Sequence, residues 1–171
     1  MQYRCATCGQ LHNELPDMDS DRPAAFWAIP EAERNTRIQL TSDTCVIDKK
    51  DFLILTVLEI PIHDYAQRFG FGVWVSQSEK NFYAYLNNPE SSALSPTFGW
   101  LCTHLSCYDI ETIGLKTRAH FRGSGKRPSI ELEPTDHPLA VNQREGITLT
   151  TAWEMVHKCL DKSPRDGEKR S

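Results

Sequence analysis

The first residues that could do chemistry are two cysteines near the N-terminus, Cys5 and Cys8, with two residues between them. Two thiolates at this spacing bind a zinc ion from one short loop with little loss of chain entropy. Gly9 follows the second cysteine directly and allows the chain to turn back, so that backbone N–H groups point at a thiolate sulfur. His12 lies within reach as a third donor. The segment therefore predicts half of a zinc site.

A closed zinc site needs four protein donors, and no second Cys-x-x-Cys or His-x-His pair completes this one. The remaining donor must come from an isolated position. Cys45 is the preferred candidate, because it opens a predicted hairpin beside an irregular N-terminal segment that must pack somewhere. A competing source is the segment that contains Cys102, His104 and Cys107. The predicted ligand set is Cys5, Cys8, His12 and Cys45.

Other interpretations of the cysteines stay open. Cys5 and Cys8 are also compatible with unmetallated surface thiols or with a redox dithiol. A thioredoxin-type pair normally follows a strand and begins a helix, where the helix dipole lowers the pKa of the first thiol. No strand of any length precedes Cys5, so the redox interpretation is the weaker one. Cys102 and Cys107 lie among large apolar residues, which favours packing in or near the core over a second metal site.

No complete catalytic signature is visible in the sequence. Asp136 and His137 are adjacent, but general base catalysis needs a nucleophile within hydrogen-bond reach, and none can be identified. Because Pro138 follows, the start of a helix explains the same residues. His63 and Asp64 have the same structural explanation. A phosphate-binding glycine loop, a nucleophile elbow and a His-Glu-x-x-His motif are all missing, so the catalytic residues stay unknown.

The composition is that of an ordinary globular protein. A chain of 171 residues with 39% apolar and 25% charged residues most simply folds as one domain. The net charge of −4 gives no reason to expect a nucleic acid or an anionic membrane as partner. The longest apolar segment, 52–58, is far shorter than the roughly 20 residues of a bilayer span. The first residues lack the apolar stretch of a secretory signal, which predicts a cytoplasmic protein with reduced thiols.

The pattern of apolar residues predicts an α+β fold, with an antiparallel sheet of about six strands and a few short helices on one face. The predicted strands are 44–47, 52–60, 71–75, 82–86, 115–121 and 129–133. The predicted helices are 30–34, 62–69, 138–145 and a C-terminal helix with an apolar stripe of Ala152, Val156, Cys159 and Leu160. A single domain would span 1–161, with the knuckle and an irregular arm in 1–43 and the α+β core in 44–161. The polar tail, 162–171, is predicted to be disordered.

Two parts of the predicted sheet bear on binding. One strand carries a row of basic residues that has acidic neighbours across a predicted hairpin, which argues against binding of nucleic acid. This row is Lys116, Arg118, His120 and Arg122. Trp74, Tyr83 and Tyr85 would share one face of the sheet and form an aromatic binding surface if no helix covered it. The C-terminal helix is expected to pack there instead.

Several short motifs together resemble one known family. They are Cys5-x-x-Cys8-Gly9-x-x-His12, Asp43-x-Cys45-Val-Ile-Asp48, Leu58-Glu-Ile-Pro61, Gly72-Val-Trp74-Val-Ser76, Phe98-Gly-Trp100-Leu101, Arg127-Pro128, Asp136-His-Pro-Leu139 and Gln143-Arg-Glu-Gly146. From about Tyr3 to Leu160, the chain resembles the uncharacterised bacterial family called domain of unknown function 2199 (DUF2199). The resemblance implies a bacterial, single-domain, cytosolic protein, and it carries no assigned activity.

The same resemblance bears on the metal site. It places the predicted ligands Cys5, Cys8, His12 and Cys45 in one pattern, which suits a shared site. Cys102 and Cys107 are not part of that pattern, and this argues against a second site.

The sequence favours a small non-enzymatic module in which zinc fixes the N-terminal arm and the surface binds an unknown protein or small molecule. One alternative is a zinc-dependent hydrolase, in which three protein ligands leave a position for an activated water. Another is a metal-free structural domain. The number of ligands separates the first two, because zinc with four protein ligands is closed to chemistry.

Overall fold

The computed structural model describes residues 2–162, which form a small hairpin and a larger sheet with helices. The strands are β1 (Tyr3–Arg4), β2 (Leu11–His12), β3 (Met18–Asp19), β4 (Ile38–Leu40), β5 (Thr44–Ile47), β6 (Asp51–Ile60), β7 (Phe69–Gln77), β8 (Thr97–Trp100), β9 (Lys116–His120) and β10 (Ser129–Leu132). The helices are α1 (Ala24–Trp27), α2 (Glu31–Arg37), α3 (Glu79–Asn87), α4 (Pro138–Glu145) and α5 (Leu149–Lys162). The predicted α+β class is confirmed.

The large sheet is mixed and has eight strands, so the prediction of a purely antiparallel sheet is wrong. Its main path runs β3-β7-β6-β10-β9-β8, with β5 on β6 and β4 on β5. Two pairs are parallel, β10 with β6 and β3 with β7. A parallel pair needs a long crossover, and the segment 61–128 between β6 and β10 provides it. Hairpin signals between neighbouring strands carry no information about such pairings.

Most predicted elements occur close to their predicted bounds. The first hairpin pairs Thr44–Ile47 with β6, and β9 pairs with β10 in antiparallel register. Across the second hairpin, Lys116 Nζ lies 3.7 Å from Glu133 and His120 Nε2 lies 3.4 Å from Glu131, as the alternating charges predict. The predicted helices at 30–34, 138–145 and the C-terminus correspond to α2, α4 and α5.

The predicted strand 82–86 is instead part of helix α3. The side chain of Ser78 accepts a hydrogen bond from the backbone N–H of Asn81 (3.2 Å) and so caps the helix. Phe82 then packs on Phe52 of the neighbouring strand, with ring centroids 5.3 Å apart. The aromatic residues of this segment are buried and exposed with the period of a helix. Over only five residues, that period is easily mistaken for the alternating pattern of a strand.

The predicted helix 62–69 does not form. The N–H of His63 donates to the carbonyl of Ile147 (2.8 Å), and Asp64 has a positive φ of 57°, which interrupts a right-handed helix. The prediction that Trp74, Tyr83 and Tyr85 share one face of the sheet is also wrong, and the apolar cluster around Trp74 contains no described residue of α5, the helix that was expected to pack there. Trp74 is completely buried beside Leu53 and Leu55, whereas Tyr83 and Tyr85 lie on α3.

The sheet is curved, so that β8, the last strand of the main path, lies against β7, the second strand. The N–H of Trp100 donates to Ser76 Oγ (2.9 Å), and Leu101 forms an isolated antiparallel bridge with Val75. This approach needs a glycine at position 99, because a Cβ there would overlap the carbonyl oxygen of Ser76 and lie 2.6 Å from Val75 Cγ1. The largest apolar cluster lies on one side of this curved sheet and includes residues of α4 and α5.

Lys162 is the last residue of α5, and residues 163–171 of the predicted disordered tail lie outside the described part of the chain. Among residues 2–162, no helix combines the length and the apolar character that a membrane span requires.

Candidate metal centre

The N-terminal hairpin brings three predicted ligands to one place. β1 and β2 pair in antiparallel register, with Tyr3 opposite His12. The loop between them closes through two backbone hydrogen bonds, from Cys5 N–H to Gln10 O (2.9 Å) and from Gly9 N–H to Cys5 O (2.8 Å). Gly9 has a positive φ of 71°, as expected for the residue that turns the chain back after the second cysteine.

Helix α5 forms the other wall of the site. Trp153 is buried, and the ring of His12 stacks on it with a centroid distance of 3.9 Å and an interplanar angle of 21°. Tyr3 stacks on the same indole at 6.3 Å, and its hydroxyl hydrogen-bonds to Thr150 Oγ1 (3.0 Å). His157 lies one helical turn after Trp153, on the same face of α5. The hairpin is therefore packed against α5 through aromatic side chains.

The side chains of Cys5, Cys8, His12 and His157 converge at this contact, and their ligand atoms all lie within 4.8 Å of one another. Cys5 Sγ lies 3.2 Å from His157 Nε2, and Cys8 Sγ lies 3.2 Å from His12 Nε2. Zinc bonds of about 2.3 Å to sulfur and 2.0–2.1 Å to nitrogen give a tetrahedron with edges of roughly 3.5 Å. The spacing of the four donors suits a tetrahedral metal ion.

The surroundings of Cys5 favour the thiolate, which is the form that binds metal. Burial of the Cys5 thiol opposes ionisation, but hydrogen bonds from the backbone N–H groups of Cys8 and Thr7 and from His157 outweigh it and lower its pKa to about 6. The sequence predicted that backbone N–H groups point at a thiolate sulfur. In the structure, these are the N–H groups of Thr7 and Cys8. Cys5 is only 1% exposed, whereas Cys8 lies at the surface, so the cluster sits at the edge of the core.

The comparison with protein families agrees with the motifs of the sequence. Residues 4–147 match the family described as "Uncharacterized protein conserved in bacteria (DUF2199)". The chain belongs to this family. The matched part of this DUF2199 protein includes Cys5, Cys8 and His12, whereas His157 lies beyond it. Neither the curated proteins nor the solved structures gave a match.

In this DUF2199 protein Cys45 is not a member of the cluster, whose fourth candidate ligand is His157. Cys45 lies on β5 opposite Leu53, is fully buried, and belongs to an apolar cluster that includes Trp74. Burial in these surroundings raises the pKa of its thiol to about 11. The sequence argument placed the two-cysteine loop beside the first hairpin of the sheet, but the hairpin of β1 and β2 packs on Trp153 of α5. Only a later part of the N-terminal arm, β4, pairs with β5.

The competing segment does not converge on a site either. Cys102 Sγ donates to the carbonyl of Trp100 (3.3 Å), and His104 Nδ1 lies 3.0 Å from Glu111 Oε1. Cys107 is buried and belongs to the main apolar cluster. These three side chains therefore have different surroundings.

His137 and His63 form hydrogen bonds with the backbone of other segments. His137 is the N-cap of α4, where its Nδ1 accepts from the N–H of Leu139 (3.1 Å). With that tautomer, Nε2 donates to the carbonyl oxygen of Glu111 (3.1 Å). His63 Nε2 lies 2.8 Å from the carbonyl oxygen of Glu145. The explanation of His137 by the start of a helix is confirmed, and its own side chain is the cap. The same explanation is wrong for His63, since no helix begins there.

His157 is the ligand candidate that the sequence argument missed. The sequence places His157 one helical turn after Trp153, and this spacing suggests contact between the two rings but no metal ligand. The rings of Trp153 and His157 have centroids 6.3 Å apart, but His12 is the ring that stacks closely on Trp153. A lone histidine on an amphipathic helix becomes recognisable as a ligand only when the docking partner of that helix is known.

Proposed function

We propose that this protein is a non-enzymatic binding module in which one zinc ion, held by Cys5, Cys8, His12 and His157, fixes the N-terminal hairpin to helix α5. The observation that carries the proposal is the convergence of the four ligand atoms within 4.8 Å. Three of these residues come from one hairpin and the fourth from the other end of the chain. A metal ion there joins two elements that are far apart in sequence.

The donor set favours zinc over other metals. Two thiolates and two imidazoles in tetrahedral array are typical of structural zinc sites, whereas magnesium and calcium prefer oxygen ligands. Four protein ligands leave no coordination position for a water molecule. The arrangement therefore supports a structural role and argues against the alternative of a zinc-dependent hydrolase.

The mechanical role of the metal follows from the size of the hairpin. β1 and β2 contribute two residue pairs, and an isolated hairpin of that size is at best marginally stable in water. The main core lies in the eight-stranded sheet and its helices, so we expect it to form without the metal. Zinc would hold the hairpin in one position on α5 and so define the surface that a protein or small-molecule partner meets. A cytoplasmic location belongs to the same proposal, since thiols there stay reduced and available to metal.

The direct test is the metal content of protein purified without chelators and without a nickel column. We expect zinc at close to one equivalent per folded chain, because the four donors are already gathered and Cys5 favours the thiolate. Elemental analysis by mass spectrometry measures it. A zinc content far below one equivalent, after reconstitution with zinc under reducing conditions, would mean that the residues serve only the fold.

Removal of the metal is expected to loosen the arm and leave the core intact. After treatment with a strong chelator, amide hydrogens in residues 3–12 should exchange more than about 100-fold faster, because the short hairpin loses its main restraint. The amides of β6 and β7, which lie in the centre of the sheet, provide the internal control. Equal acceleration in both regions would show that the metal supports the whole fold, and no change in residues 3–12 would contradict the proposed role.

A further inference from the structure

The basic row on β9 contains one cation that the protein itself does not pair. Lys116 lies 3.7 Å from Glu133 and His120 lies 3.4 Å from Glu131, so both carboxylates across the hairpin are engaged. Arg118 lies between these two basic residues on the same exposed face, directly opposite Glu131 in the strand register. Within the described part of the chain, its guanidinium forms neither a hydrogen bond nor an ion pair. Its N–H donors are therefore available to an anion from outside.

Arg118 lines a groove on the exposed face of the sheet. The groove has a volume of about 550 Å³, and its wall also includes Phe98 and Pro134. Phe98 lies directly opposite Arg118 in the register of β8 and β9, and it is 53% exposed. An unpaired cation and an uncovered aromatic ring thus share one groove, whose size is that of a small-molecule site.

A second and more apolar cavity lies beside this groove. It has a volume of about 420 Å³ and lies between α3 and the segment that leads into β8, with a wall that includes Ala84, Leu94, Pro96 and Phe121. Leu94 and Phe121 belong to the apolar cluster under α3. Because Phe98 lines both cavities, the apolar cavity and the cationic groove are neighbours.

We propose that the two cavities together bind one small amphipathic carboxylate, such as a medium-chain fatty acid. The carboxylate lies on Arg118, which holds it through two parallel hydrogen bonds, and the apolar chain passes Phe98 into the second cavity, where it is removed from water. A carboxylate fits better than a phosphate dianion, because Glu131 and Glu133 lie on the same face and repel additional negative charge.

This inference gives a ligand class to the binding module of the proposed function, and it rests on that function. It does not depend on zinc, because both cavities are formed by the large sheet and α3, whereas the candidate metal centre lies between the N-terminal hairpin and α5.

The experiment titrates the full-length protein with octanoate, butanoate and octanamide and measures binding by isothermal titration calorimetry. Octanoate should bind at least about 15-fold more tightly than butanoate, because four more methylene groups leave water. It should bind about tenfold more tightly than octanamide, which has the same chain and no charge for Arg118 to pair with. Amide chemical shifts in NMR spectra should change at Phe98 and Arg118 when octanoate is added.

Variants separate the head of the ligand from its chain. Arg118→Gln keeps an exposed polar side chain and should weaken octanoate binding about tenfold, with octanamide binding unchanged. Arg122→Gln is the matched control, since Arg122 belongs to the same basic row, lines neither cavity and donates to the carbonyl oxygen of Arg127. It should leave the affinity for octanoate unchanged. Leu94→Asn makes the second cavity polar and should weaken the binding of octanoate more than that of butanoate.

Four results would overturn the proposal. They are no binding of octanoate at millimolar concentration, equal affinity for octanoate and octanamide, equal affinity for octanoate and butanoate, and an equal loss of affinity in Arg118→Gln and Arg122→Gln. The same titration with chelator-treated protein should give the same affinity for octanoate, and binding that disappears with the metal would also contradict the site. Because zinc content is measured separately, failure of this proposal is distinguishable from failure of the metal centre.

Discussion

Replacing His157 with alanine is expected to lower zinc affinity by more than about 100-fold, because changes to residues that merely support metal ligands already cost 10–100-fold. His157 supplies one of four donors and lies 3.2 Å from the thiol of Cys5. Its loss leaves three ligands on a short hairpin and breaks the link to α5. Competition with a fluorescent zinc chelator at neutral pH measures the affinity.

Three variants separate ligand loss from general damage to the fold. His157→Cys keeps a donor at the same position and should recover much of the zinc affinity. His104→Ala removes a histidine that pairs with Glu111 outside the cluster and should leave the affinity unchanged. Cys45→Ser should also leave zinc content unchanged in folded protein, since Cys45 lies in a different apolar cluster. A loss of zinc in Cys45→Ser but not in His157→Ala would restore the ligand set expected from the sequence.

Replacing Gly99 with alanine is expected to destabilise the protein by about 3 kcal/mol, because the added methyl group must push β8 away from β7. The new Cβ would overlap the backbone carbonyl of Ser76, which belongs to β7 and has little freedom to move. The bridge between Val75 and Leu101 and the hydrogen bond from Trp100 to Ser76 would weaken together. The midpoint of thermal unfolding should fall by roughly 10 °C.

Gly70→Ala is the matched control for that experiment. Gly70 is also a buried strand glycine without a positive φ, but a Cβ there would meet Asp17 Oδ1 at 2.5 Å, which is the end of an exposed side chain. That carboxylate can rotate away, so we expect a loss of less than about 1 kcal/mol. Circular dichroism melting curves compare the two variants. A similar loss in both would show that strand glycines matter here for another reason than the closure of the sheet.

Local sequence rules located the elements that short-range contacts decide. The alternation along β9 and β10, the proline at the start of α4 and the apolar stripe of α5 all describe structure within a few residues. The same rules went wrong at α3, where Phe82 and its aromatic neighbours match a strand pattern over five residues. They also missed the parallel pairs, because the contact of β10 with β6 joins residues about 70 positions apart and leaves no local signature.

The ligands of the candidate metal centre could also be predicted from the sequence only in part. The sequence by itself determined the Cys5-x-x-Cys8-Gly9 loop with His12, because three donors within eight residues are brought together by one turn of the chain. The fourth partner was decided only by the tertiary structure. The choice between Cys45 and His157 depends on which surface the hairpin packs against, and that depends on the total apolar area buried around Trp153 and Tyr3. Such burial is a property of the assembled core and not of any segment, so the sequence motif could define the loop but not the helix that completes it.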